Sequence, residues 1–204
     1  MRVLWRRGVR RGGIVRLLGR LLVSRLTPRT PLSRWWPQAF ARYLAGLERL
    51  GLTPLALAAA RDVAQDLRPA MLDAIGRERD QGAELWLVSA TVDLLAEAVA
   101  GELGFSCCVC THLTLDGSRY AGTLLGPICR GKEKLKRVRD ELAQRGLAAE
   151  WAACSYYADG YEDLPLLEAV GRPVVVHPDA RLAEVAKERG YTAVGAPRGQ
   201  RLGG

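Results

Sequence analysis

At 204 residues, with 49% hydrophobic and 25% charged side chains, the chain has ordinary globular composition and enough length to bury one main core. No apolar run approaches the length of a membrane-spanning helix, which argues for a soluble protein. Net charge is +8, but the excess is local, because residues 1–47 hold eleven arginines and no Asp, Glu or Lys. Such an Arg-rich, acid-poor start fits an organellar transit segment, a contact with anionic membrane or a solvated helical face, of which the solvated face is the preferred reading. Nucleic acid is not an expected partner, since the arginines are not interleaved with an aromatic platform and Trp35-Trp36 stands apart from most of them.

Ile14, Leu17, Leu18, Leu21 and Leu22 recur at helical spacing, and Trp35-Trp36-Pro37 interrupts the pattern. Thr53-Pro54 then reads as the N-cap and first turn of a helix running to about residue 67. Residues 1–68 are therefore expected to be helical, with the tryptophans as packing anchors. From Pro69 the rhythm changes to alternating helices and short apolar runs. The pattern predicts a helix to about 81, strand 85–89, helix 92–103, strand 106–110 and a hairpin turning at Asp116-Gly117. Helix 132–145, strand 153–158, helix 164–170, strand 173–177, helix 180–189 and a short strand 191–194 follow. This βαβ rhythm implies an α/β fold with a Rossmann-like parallel sheet over 69–204, preceded by a helical region over 1–68. The Gly- and Arg-rich tail from Gly195 is expected to fray.

Five cysteines, Cys107, Cys108, Cys110, Cys129 and Cys154, are an odd number in a chain without a signal-peptide pattern, which fits a reducing cytoplasm. The run Cys107-Cys108-Val109-Cys110 lacks the two-residue gap of zinc knuckles and reads as buried structural thiols.

Three polar features stand at strand ends or helix starts: Ser89-Ala90-Thr91, Gly131-Lys132-Glu133-Lys134, and Asp159 with Asp163. A hydroxyl with helix-start amides can hold phosphate, a lysine can neutralise it, and paired carboxylates suit Mg²⁺. Taken singly, each is ordinary as a cap or a solvated charge. In this order, Leu87-Val88-Ser89-Ala90-Thr91, Cys129-Arg130-Gly131-Lys132-Glu133-Lys134 and Asp159-Gly160-Tyr161-Glu162-Asp163-Leu164-Pro165 resemble the second, third and fourth motifs of the haloacid dehalogenase superfamily. The resemblance is to its phosphoserine-phosphatase-like branch and runs from about Pro69 to Tyr191, with His177-Pro178-Asp179 and Arg181-Leu182 also matching a segment common there. It implies that Ser89, with the adjoining Ala90, binds the transferring phosphoryl group and that Lys134 neutralises it. Asp159 would bind Mg²⁺, and Asp163 would support the metal and lysine network. Residues 9–68 would form the helical cap.

The first motif of that family is an Asp-x-Asp pair ending a central strand, one Asp attacking phosphorus and the other serving as acid and base. No such pair occurs here, and the first acidic residues are Glu48 and Asp62. The expectation is a sheet lacking its central first strand, in a chain that starts late or at a locus that has lost its start. Val3-Leu4-Trp5 is a candidate for a makeshift strand, kept very short by the arginines at positions 2, 6 and 7. The resemblance thus implies Mg²⁺-dependent hydrolysis of a small, phosphoserine-like phosphomonoester through an aspartyl-phosphate, with the nucleophile not among these residues. The alternative is a catalytically dead descendant that binds phosphate, metal or a partner.

Overall fold

The computed structural model describes residues 32–195. The helical periodicity at Ile14 to Leu22, the short run Val3-Leu4-Trp5 and the tail beyond Gly195 lie outside the described residues. The chain divides into two compact units, residues 32–67 with Glu78–Ile128, and Arg68–Arg77 with 129–195. In chain order the first elements are α1 (Leu32–Leu44), α2 (Arg49–Gln65), α3 (Pro69–Asp80), β1 (Trp86–Val92), α4 (Asp93–Glu102) and β2 (Cys107–Thr111). A hairpin of β3 (Leu113–Asp116) and β4 (Arg119–Leu124) follows. The remainder is α5 (Lys132–Gln144), β5 (Ser155–Ala158), α6 (Leu164–Leu167), β6 (Arg172–Val176), α7 (Ala180–Arg189) and β7 (Thr192–Val194). No helix among the described residues is long and apolar enough to cross a membrane.

The α/β expectation holds, with β1 and β2 parallel, β5, β6 and β7 a second parallel group, and the hairpin its own antiparallel pair. The described parallel strands therefore form two sheets rather than one. In the first unit, α1 contributes Phe40, Ala41 and Leu44 to a core shared with Ala56 and Ala59 of α2, Leu94 and Leu95 of α4, and Leu113 and Tyr120 of the hairpin. The small residues Ala56, Ala59 and Ala60 are all buried and leave room for a neighbouring helix to approach closely. In the second unit, β6 lies between two strands and reads Pro-Val-Val-Val, the near-continuous apolar run of a strand covered on both faces. Val175 packs there with Ala158, Leu167, Leu182 and Ala186.

Two early elements depart from the sequence reading. Trp35-Trp36-Pro37 does not interrupt a helix but lies inside α1, where Trp36 packs on Phe40 with ring centroids 5.7 Å apart. Likewise Thr53-Pro54 does not start α2, which begins four residues earlier at Arg49 with Pro54 inside it. Tertiary pairing explains the early start. Residues 46–49 line up against the hairpin through Gly46 N–H to Tyr120 C=O at 2.8 Å, Tyr120 N–H to Leu47 C=O at 3.0 Å and Arg49 N–H to Ser118 C=O at 3.0 Å. These bonds fix the chain's direction before any cap is needed. Thr53 then donates its hydroxyl to the Arg49 carbonyl at 3.1 Å, one turn back.

Later boundaries sit closer to expectation. The hairpin, α5 and α7 fall where the pattern put them, and α7 has both its signals: Asp179 as N-cap accepting from the Leu182 N–H at 2.8 Å, and Gly190 at φ 67° closing it. Helix α6 is shorter than the expected 164–170, stopping at Leu167. Cys107, Cys110 and Cys129 are buried, while Cys108 and Cys154 are half-buried, and none of the five forms a disulfide among the described residues.

Candidate active site

Ser89 and Ala90 lie in β1, which runs three residues beyond the expected end at Ser89. The ladder to β2 pairs Val88 with Val109 and next Val92 with Thr111, so three residues of β1, Ser89 to Thr91, face a single residue of β2. This is a bulge, the device that re-aims side chains at sheet ends and beside active sites. Within it the Ser89 Oγ accepts the Thr91 N–H at 3.1 Å, and the Ala90 carbonyl accepts the Thr111 hydroxyl at 2.9 Å. Ser89 is thus held four residues ahead of α4 rather than at the helix start itself.

In the second unit Lys134, on the first turn of α5, is 6% exposed. Its Nζ forms an ion pair with the Asp163 carboxylate and lies 3.3 Å from the Tyr156 hydroxyl. Burial alone would push Lys134 down, but the Tyr156 phenol and the Asp163 carboxylate, with the hydrogen bonds to both, more than reverse this and hold it above the ordinary lysine range. Burial raises Tyr156 as well, so its phenol is uncharged at neutral pH and Asp163 supplies the charge that holds the ammonium. Asp163 precedes α6 yet makes no capping hydrogen bond, so its carboxylate faces the lysine instead of the helix.

Asp159 follows β5 directly, and a single 3₁₀ turn, Tyr161–Asp163, brings Asp163 onto the same short loop. Two neighbouring loops fix that turn. Asp179 donates its N–H to the Asp159 carbonyl at 2.9 Å and accepts the Tyr161 N–H on Oδ2 at 2.8 Å. On the other side Arg130 pairs with Glu162 at 3.1 Å. Gly131 adopts φ 55°, ψ −126°, a conformation open only to glycine, and a Cβ there would sit 3.7 Å from the Glu162 carbonyl. Asp159 and Asp163 bring two carboxylates to one loop, hard oxygen donors of the kind Mg²⁺ prefers, so the donor chemistry of this loop suits that ion.

The structure therefore joins Lys134 directly to Asp163 and sets Asp159 on the same loop, while Ser89 and Ala90 belong to the other unit. Sequence reading missed Tyr156 and gave Asp179 no role. The strand alternation that puts Tyr156 on the same face as Ala158, together with a lysine needing a buried partner, was the available signal for the first. Asp179→Ala removes an N-cap acceptor and the loop tether at once, and is expected to cost about 1–2 kcal/mol in urea unfolding, with Asp179→Asn costing less.

The family model described as haloacid dehalogenase-like hydrolase matches residues 1–168. The chain is 37% identical over 112 residues to a phosphoserine phosphatase of Mycobacterium tuberculosis, covering 55% of this chain and 36% of that protein. It is 34% identical over 112 residues to a histidinol-phosphatase of Neisseria meningitidis serogroup C, covering 54% and 50%. The chain thus spans about a third to a half of the length of these curated relatives. A solved structure of a Bordetella pertussis Tohama I protein of unknown function superposes with a TM-score of 0.72 at 26% identity, over 86% of this chain and 78% of that one. A probable phosphoserine phosphatase from Vibrio cholerae shares the fold at TM-score 0.54 and 16% identity, over 81% and 58%. With more than half its length matched by that model, the chain belongs to the haloacid dehalogenase-like hydrolase family.

Proposed function

We propose that this chain carries the phosphoryl- and metal-handling part of a Mg²⁺-dependent phosphomonoesterase acting on a small phosphorylated metabolite, phosphoserine-like in size and charge. The observation that carries this reading is the buried Lys134–Asp163 pair beside the Asp159 loop. A buried ammonium preoriented by a carboxylate is placed to neutralise phosphoryl oxygens as charge shifts during transfer, with no reorganisation at that moment. Asp163 fixes the direction of Nζ, and Tyr156 keeps the ammonium from swinging away. Asp159 and Asp163 would hold Mg²⁺, which when bound supplies further positive charge to the phosphoryl group. By the family resemblance Ser89 would take the phosphate-binding role of the second motif, and residues 1–68 the role of the cap. The aspartyl-phosphate chemistry of the family needs a nucleophile to which no residue of this chain corresponds, since no Asp-x-Asp pair precedes β1.

That last observation favours a second reading, a phosphate- and metal-binding protein without turnover. One experiment separates the two. The purified chain is assayed for phosphate release from phosphoserine and p-nitrophenyl phosphate with Mg²⁺ or with chelator, and in parallel for orthophosphate binding by ³¹P NMR. Mg²⁺-dependent turnover that falls about 10²–10³-fold in Lys134→Met supports the phosphatase. Orthophosphate binding that is lost in the same variant, without turnover, supports the binding protein. Neither turnover nor binding sinks both readings.

A further inference from the structure

A further cluster lies in the first unit and contains none of the residues named above as phosphate- or metal-binding candidates. Asp93 opens α4 and is 7% exposed, Glu97 follows one turn later on the same face, and His112 stands between β2 and β3. One ligand atom from each of the three falls within 4.8 Å of the others. The Asp93 carboxylate is held from behind, Oδ1 accepting the Leu94 N–H at 2.8 Å and Oδ2 the Leu113 N–H at 3.2 Å. Such outer hydrogen bonds orient a metal ligand while leaving lone pairs for the ion.

Two features do not fit a purely structural cluster. His112 Nδ1 faces Asp93 Oδ2 at 3.6 Å. That is too long for a hydrogen bond, but close to the roughly 3.3–3.5 Å that separates two donors about 2.0–2.2 Å from one tetrahedral ion. The second feature is Tyr120, 3% exposed, whose hydroxyl is buried without a hydrogen-bond partner. Tyr120 belongs to the same core cluster as Leu94 and Leu113, the residues that follow Asp93 and His112, which places its ring beside these three side chains. A native protein leaves few such groups unsatisfied, and an orphan at the edge of three potential ligands marks the place of a missing partner.

We infer that Asp93, Glu97 and His112 form a second cation site for a borderline divalent ion of the Zn²⁺ type, with the Tyr120 hydroxyl donating to a water on the ion. Imidazole with two carboxylates matches Zn²⁺ better than Mg²⁺, and two negative ligands balance the dication. Arg49 pairs with Glu97 at 2.9 Å, but both side chains are over two-fifths exposed, a pairing of little strength that the ion displaces into solvent.

The test uses the chelator-treated full chain, titrated with Co²⁺ as a spectroscopic substitute for Zn²⁺, in excess Mg²⁺ to fill all-oxygen sites. One equivalent is expected to bind with the visible absorption of nitrogen-ligated cobalt. His112→Ala and Glu97→Gln should each weaken it by at least about tenfold, and Tyr120→Phe by less. His177→Ala should leave it intact. The His112 side chain is 44% exposed, so its removal leaves folding undisturbed, which circular dichroism verifies. Absence of a bound equivalent, unchanged affinity in His112→Ala, or loss in His177→Ala would overturn the assignment.

Discussion

Replacing Lys134 with methionine is expected to lower the stability of the second unit by about 3 kcal/mol, a large share of the roughly 5–15 kcal/mol that holds a domain together. Methionine keeps most of the buried stem, so lost packing contributes little. The cost lies in what remains. Asp163, with its side chain 16% exposed, keeps its charge in a poorly hydrated place without its ammonium, and Tyr156 loses the donor that meets its hydroxyl. Asp163→Asn should be comparably costly because it strands the ammonium instead. The double variant Lys134→Met/Asp163→Asn removes both charges and should recover about half of the summed loss, a coupling that only groups in direct contact produce. Urea unfolding of the four proteins closes this cycle. A single-variant loss below about 1 kcal/mol, the range of exposed pairs, would mean that water reaches Lys134 and that its proposed electrostatic role fails with it.

How much of this was legible beforehand follows from where each residue's partners sit in the chain. Helix α7 was readable to the residue because its determinants are local: Asp179 caps its first turn, Gly190 ends it, and Lys187 and Arg189 lie in its last turn. Lys134, Asp159 and Asp163 were readable as a set because their order and strand-to-helix placement are periodic features of the chain. The start of α2 was not, because it depends on backbone bonds to Ser118 and Tyr120, about seventy residues away. The bulge at Ser89 was equally hidden, since a bulge is defined by the partner strand's register and not by the bulged strand's composition. Tyr156, and Asp179 as the tether of the Asp159 loop, acquire their roles only when β5, α5 and the turn before α7 are brought together. The Asp93, Glu97 and His112 cluster had no legible spacing, because its third ligand follows β2 and comes near Asp93 only through the fold.

Stability is expected to stay level from neutral pH to about 8.5 and then to fall steeply, reaching several kcal/mol by pH 11. The cause is protons that the folded chain retains after the unfolded chain has released them. Burial raises Cys129, fully inaccessible to solvent, from 9.0 to about 11, against a partial offset from Lys134 and Arg137. Cys110 shifts in the same direction, through its hydrogen bond to Cys108 and through burial. Below the unfolded thiol value both states carry the proton and stability is unaffected. Above it only the folded state does, so stability declines by about 1.4 kcal/mol per pH unit for each such group until the folded value is reached. For Cys129 alone that window, pH 9 to 11, is worth about 2–3 kcal/mol. Tyr120 extends the fall over the window from 10 to about 12. Lys134, held above its ordinary range, adds a contribution that is whole below about 10.4 and lost as pH rises through its folded value. Urea midpoints measured from pH 7 to 11 test the window, and Cys129→Ala isolates one component. That variant should be less stable than the parent at pH 7, because a cavity replaces the thiol, yet lose less between pH 9 and 11, so that the two curves converge. Parallel curves would mean that the Cys129 thiol ionises in the folded protein as readily as in the unfolded chain, and that the interior around the third motif is wetter than its geometry implies.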